Sequence, residues 1–137
     1  MQELVSLERK IFADPRLHYI KDLFIYSCYT GLAFVDAMNL YESDFEWDTN
    51  GTTWCKIYRS KSDELCAVPL LKSGAKIINE YKADAKITGR TTIFPKISNQ
   101  HVNECLKIIQ AACEIATYLT FHVARHTFGK TVALKMG

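Results

Sequence analysis

The residues best suited to chemistry stand near the end of the sequence, in Leu119-Thr120-Phe121-His122-Val123-Ala124-Arg125-His126-Thr127-Phe128. On a helix, His122 and Arg125 lie three residues apart and share a face. An imidazole beside a permanently charged guanidinium suits a phosphodiester oxyanion. The guanidinium grips two oxygens through parallel charge-assisted bonds, and the imidazole gives or takes a proton near neutral pH. The same spacing also describes a surface His and Arg at a helix start. His122 and His126, at i and i+4, raise a metal site as a further reading. Zinc proteases with that spacing place Glu directly after the first His, where this sequence has Val123. No carboxylate or cysteine follows to complete a ligand set. The metal reading is therefore weak, while the anion site and the plain surface pair both stay open.

These residues need a scaffold, and the periodicity predicts one. Leu4, Val5, Leu7 and Ile11 form an apolar stripe on a first helix over Gln2–Phe12. Asp14-Pro15 marks a second start, with Asp as cap and Pro at the first helical position. That helix runs to about Tyr29, and Gly31 permits the turn into a third helix from Ala33 to about Leu40. The character then changes to short β-capable runs at Asp44–Trp47, Trp54–Tyr58 and Leu65–Pro69, separated by Asp48-Thr49-Asn50-Gly51 and Ser62-Asp63-Glu64. Asn-Gly between such runs is a hairpin signal, so a small three-stranded antiparallel sheet is expected. From Leu70 the helical period returns, with Leu71, Ala75, Ile78 and Tyr81 inward and Lys72, Lys76 and Lys82 outward. A loop over Ile87–Pro95 follows. Ser98 or Asn99 caps a helix burying Val102, Leu106, Ile109 and Cys113, and Thr120 caps the last helix from about Phe121. Helices, then strands, then helices, with no linker or repeat between them, predict one α+β domain over 1–137, mostly helical.

Composition narrows the class without naming a function. A share of 48% hydrophobic and 23% charged residues excludes a disordered chain. The apolar runs around Leu23–Tyr29 and Leu32–Val35 fall far short of the roughly 20 residues of a membrane span. No secretory signal opens the sequence, and a cytoplasmic location is expected. Five cysteines, an odd number without C-x-x-C spacing, read as reduced and mostly buried thiols. A net charge of +2 permits a nucleic-acid partner but argues only weakly for one.

Several blocks together carry a resemblance. The stretch from Phe24 to Leu40, with Thr30-Gly31-Leu32-Ala33 followed by Asp36 and Leu40, is similar to the signature in which Thr-Gly-Leu-Arg opens a helix followed by an acidic residue and Leu in tyrosine recombinases. Tyr58-Arg59-Ser60-Lys61-Ser62, followed by Ala67-Val68-Pro69-Leu70-Leu71, resembles the β-hairpin of the same phage-integrase family. Ile93-Phe94-Pro95 and the Asn103–Ile109 helix look like its intervening segment, and Thr120–Phe128 resembles its Thr-Phe-His-x-x-Arg-His-Thr-Phe helix. The order is the family's and the likeness runs over essentially the whole chain from Gln2.

The resemblance implies a catalytic domain that breaks and rejoins double-stranded DNA, without metal or cofactor, through a 3′-phosphotyrosyl link. It implies that Arg125 clamps the non-bridging oxygens and that His122 shares the clamp and handles a proton. Lys61 on a hairpin tip would serve as general acid for the 5′-hydroxyl, Asp36 would orient the site, and His126 would pack beneath it. Such enzymes integrate or excise mobile elements as tetramers on DNA. Two departures stand out. Ala33 occupies the place of the family's first Arg, and Arg59 is the candidate substitute. No tyrosine follows Arg125, and Tyr118 precedes the helix and reads as packing, so the chain is expected to be a truncated, inactive piece, monomeric in solution. A DNA-binding module without catalysis, or a decayed integrase, is the alternative.

Overall fold

The computed structural model describes residues 2–115, 119–121, 123 and 124. They form two compact units, one from 1–33 with 97–137 and the other from 34–96.

The first unit is built on α2 (Pro15–Thr30), with α1 (Gln2–Arg9) and α5 (Asn99–Ala112) packed against it. Asp14 caps α2 by accepting the Arg16 N–H at 2.9 Å, with Pro15 at the first helical position. Every residue from Ile20 to Cys28 is buried, which makes α2 the central helix of its unit. Lys21 lies within that run, and its ammonium donates to the Lys10 and Glu8 carbonyls at 2.9 and 3.5 Å. It thereby closes the carbonyl end of α1, whose last groups have no partner within their own helix. α1 stops at Arg9, short of the expected Phe12, and Ile11 beyond it is 84% exposed. Leu4 and Leu7 carry the buried stripe alone, because Val5 sits off their face.

α5 follows the sequence expectation closely. Ser98 accepts the His101 N–H at 3.1 Å, and Val102, Cys105, Leu106 and Ile109 are buried at i, i+3, i+4 and i+7. Cys113, expected on that face, is the C-cap and only half-buried.

The second unit opens with α3 (Phe34–Met38) and a 3-10 turn at Glu42–Asp44. A three-stranded antiparallel sheet follows, β1 (Phe45–Trp47), β2 (Thr53–Tyr58) and β3 (Leu65–Pro69), in the order β1-β2-β3. Cys55 pairs with Val68 and Ile57 with Cys66, and these residues make the inward face while Lys56 and Ala67 face out. Asp48 organises the β1–β2 turn. Its carboxylate accepts the Asn50 and Thr52 N–H groups at 2.8 and 2.9 Å and the Trp54 indole N–H at 3.0 Å, and Gly51 takes the left-handed φ of 81°.

α4 (Lys72–Thr88) completes the unit and ends at Gly89, φ 77°. Its buried residues are Gly74, Ile77, Ile78 and Ala85; of the expected inward residues Ile78 is buried while Leu71, Ala75 and Tyr81 are half-buried, so the inward face is turned part of the way from the expected line. Lys82 is correspondingly half-buried and paired with Glu42 at 3.2 Å. Phe94 is fully buried, its ring 5.3 Å from that of Tyr81. Arg90 secures this loop by donating to the Thr92 and Ile93 carbonyls at 3.0 and 2.7 Å. The five cysteines are free thiols.

Candidate functional site

Lys61 stands at the tip of the β2–β3 hairpin. The connection from Arg59 to Glu64 is closed at its base, where the Arg59 N–H donates to the Glu64 carbonyl at 2.9 Å and the Asp63 N–H to the Arg59 carbonyl at 2.8 Å. Asp63 supplies the positive φ of 55° that the turn needs. The Lys61 side chain is exposed and makes no hydrogen bond or ion pair among the described residues. It is thus an exposed ammonium on a short arm.

The arm is tied down one residue away. Oδ1 of Asp36 accepts both the Ser60 N–H at 3.1 Å and the Ser60 hydroxyl at 2.8 Å. Asp36 is 7% exposed and belongs to α3, a helix too short to persist by itself. α3 is in turn held at its other end by Lys96, whose ammonium donates to the Met38 carbonyl at 2.7 Å and to Asn39 Oδ1 at 2.9 Å. A cation at a helix C-terminus satisfies carbonyls that lack intrahelical partners. Asp36 therefore connects a fixed helix to the turn bearing Lys61, while its own position is set by Lys96.

Arg59 has a different environment. It is half-buried, and its guanidinium turns back along the hairpin to donate to the Cys66 thiol sulfur at 3.5 Å. Ala33 is half-buried and directly follows a well-determined cap. Gly31 takes φ 73° and donates its N–H to the Ser27 carbonyl, while the Ser27 hydroxyl donates to the Leu32 carbonyl at 2.6 Å. The Thr30 hydroxyl donates to the Tyr26 carbonyl at 2.8 Å. The Thr-Gly-Leu step is thus a hydrogen-bonded helix terminus, and the residue after it, Ala33, carries only a methyl group.

His122, Arg125 and His126 lie outside the described residues. Their described neighbours are well anchored. Leu119, Phe121 and Ala124 are buried, and Val123 donates its N–H to the Thr120 carbonyl at 3.0 Å and to its Oγ1 at 3.4 Å, the expected cap. Among the described residues no cluster of three His, Cys, Asp or Glu could hold a metal ion, and no helix is long and apolar enough to cross a membrane. A shallow groove of about 300 Å³ on the sheet, lined by Trp47, Trp54, Ala67 and their charged neighbours, includes neither Lys61 nor Asp36. Its charges are spent internally, Lys56 on Glu46 at 2.8 Å and Asp48 on the turn.

Sequence reasoning pointed to Lys61 and Asp36 but missed Ser60 and Lys96. Ser60 is 24 residues from its carboxylate and Lys96 is 58 from its carbonyl, so no local pattern announces either.

No protein-family model and no curated protein matches the chain. Solved structures do. The XerH site-specific recombinase bound to difH substrate, in a pre-cleavage complex, is 19% identical with a TM-score of 0.72, over 98% of this chain and 40% of that one. XerA recombinase is 22% identical with a TM-score of 0.70, over 99% of this chain and 50% of its own. The lambda integrase catalytic core is 16% identical with a TM-score of 0.71, over 98% of this chain and 85% of that chain. The chain thus spans half or less of the length of the two Xer recombinases. What is shared with them is the fold: the chain has the mostly helical α+β architecture, with its small antiparallel sheet, of the tyrosine-recombinase catalytic domain.

Proposed function

We propose that both units belong to the catalytic domain of a site-specific DNA recombinase that acts on double-stranded DNA in the cytoplasm to integrate or excise a mobile element. The observation that carries this reading is the exposed Lys61, set on a hairpin tip that a buried carboxylate ties to α3, within a fold shared with such enzymes. In this reading Arg125 and His122 hold the non-bridging oxygens of the scissile phosphate. Fixed cations stabilise the charge that gathers there during phosphoryl transfer. A tyrosine attacks phosphorus to form a 3′-phosphotyrosyl bond, and the P–O5′ bond breaks. Lys61 gives its proton to the leaving 5′-oxygen, and reversal by a second strand's 5′-hydroxyl completes exchange. None of the seven tyrosines here is assigned as nucleophile. The working assembly is a tetramer on DNA, with this chain monomeric when free. In the same reading His126 packs beneath the site, and Arg59 is the candidate to supplement the arginine absent at Ala33.

The test is the salt dependence of duplex binding, followed by fluorescence anisotropy. Three phosphate contacts, from Lys61, Arg59 and Arg125, give a log–log slope of roughly −2.7, so fourfold more salt weakens binding about 40-fold. Lys61→Ala lowers the slope by about one. Binding that ignores salt, or no binding at low ionic strength, removes the reading. Ala33 favours a second reading, a DNA-binding module without catalysis. A 3′-phosphotyrosyl product on nicked duplex DNA, from any polypeptide that contains this sequence, supports the enzyme, whereas its absence with binding retained supports the module.

A further inference from the structure

We infer that Asn103 and Gln110 of α5 are positioning residues for the His122–Arg125 pair, an inference that rests on the proposed function. Asn103 Oδ1 accepts the Phe121 N–H at 3.0 Å, and Gln110 Oε1 accepts the Leu119 N–H at 2.8 Å. The two amides stand seven residues apart, two helical turns, and so occupy one face of α5. Their donors lie two residues apart on the segment that leads directly into His122. Between them, Thr120 accepts the Val123 N–H.

The first N–H groups of a helix have no partner inside it. Here the first is taken by Asn103 from another helix, and the third by Thr120, so one end of the segment is capped from both sides. Burial of Leu119, Phe121 and Ala124 fixes which side of the segment faces the core. It does not fix where the helix begins, because apolar packing is not directional. The two amide acceptors supply that information by gripping backbone N–H groups at defined positions. A helix starting one residue later would turn everything after it by about 100° about the axis, and under the proposed function that rotation would cost the pair its common phosphate. The geometry therefore assigns the rotational register of the His-x-x-Arg segment to two uncharged side chains on α5, neither of which touches the substrate.

A double-mutant cycle on the full chain tests this, using anisotropy with a fluorescein-labelled duplex. A net neutral hydrogen bond corresponds to roughly a 2- to 12-fold change in affinity. Asn103→Leu is expected to weaken binding by that factor, and the loss is expected to vanish in an Arg125→Ala background. The same loss in both backgrounds, or none in either, overturns the inference. The His122 imidazole resonance is expected to shift in Asn103→Leu while that of His18 stays in place, and an unshifted His122 counts equally against it. Should Asn103→Leu melt below the assay temperature, Gln110→Met decides: affinity loss coupled to Arg125 supports the assignment, and wild-type affinity overturns it. If Arg125→Ala by itself leaves DNA binding unchanged, the proposed function fails first, which separates the two.

Discussion

Replacing Asp36 by Asn probes the link between α3 and the Lys61 turn with the least disturbance of shape. Asn keeps the volume and one oxygen acceptor but removes the charge. Two donors converge on Asp36 Oδ1, the Ser60 N–H at 3.1 Å and the Ser60 hydroxyl at 2.8 Å. Hydrogen bonds to a charged group contribute about 1.5–3 kcal/mol each and neutral ones about 0.5–1.5 kcal/mol. Losing the charge thus costs about 1–1.5 kcal/mol per bond. Ser60 is exposed, and water recovers part of the loss, which places the total near the low end, about 2 kcal/mol. Opening of the turn then becomes roughly 30-fold more frequent. Native-state hydrogen exchange reads this directly: the Ser60 amide exchanges roughly 30-fold faster in Asp36→Asn, while amides of α2 and α5 keep their rates. An unchanged Ser60 rate, or a Ser60 amide already unprotected in the wild type, refutes the reasoning.

Other perturbations separate structure from function. Phe94→Ala, at a fully buried ring beside Tyr81, destabilises by about 3–5 kcal/mol in urea unfolding, whereas Ile87→Ala, at a side chain 85% exposed, stays within about 0.5 kcal/mol. Lys61→Ala leaves the urea midpoint unchanged, because the ammonium has no partner among the described residues, and under the proposed function it lowers the salt slope of duplex binding by about one. The Trp54 indole N–H, with backbone N–H groups of the turn, holds the Asp48 carboxyl below its ordinary value of 3.8. A depressed carboxyl stabilises the fold above that ordinary value, and the contribution is lost as pH falls through the lower folded value. The Trp54 indole resonance therefore shifts only below about pH 4, and Asp48→Asn abolishes the titration. Burial pushes the Cys105 and Cys113 thiols up from 9.0, so both alkylate more slowly than a free thiol at pH 8.5, as mass spectrometry of iodoacetamide-treated protein will show.

Much of the scaffold was legible because its signals are local. Asp14-Pro15 starts α2, Gly31 ends it, Ser98 caps α5 and Asn50-Gly51 turns the first hairpin, each through chemistry contained within a few residues. Misreadings arose where tertiary contacts overrode that chemistry. The carbonyls at the end of α1 are met by Lys21, a residue of another helix, and on α4 burial reaches Gly74 and Ile77, which lie off the expected line. The candidate site divides the same way. Lys61 and Asp36 could be named from sequence because they fall inside short motifs. Ser60 and Lys96, which fix their geometry, act across 24 and 58 residues, a distance at which spacing carries no information. Lys21 is a further case, since no local pattern in the apolar run of α2 announces that its ammonium lies 5% exposed on the carbonyls of residues 8 and 10.

The central claim is that Lys61, His122 and Arg125 serve one phosphate. A crystal structure of the chain grown in sulfate addresses it most directly, because sulfate imitates the scissile group in charge and shape. The account predicts one anion held jointly by the Arg125 guanidinium and the His122 imidazole, with the Lys61 ammonium within reach of it. Arg125 and His122 side chains pointing apart with no shared anion, or a metal ion held by His122 and His126, would contradict it.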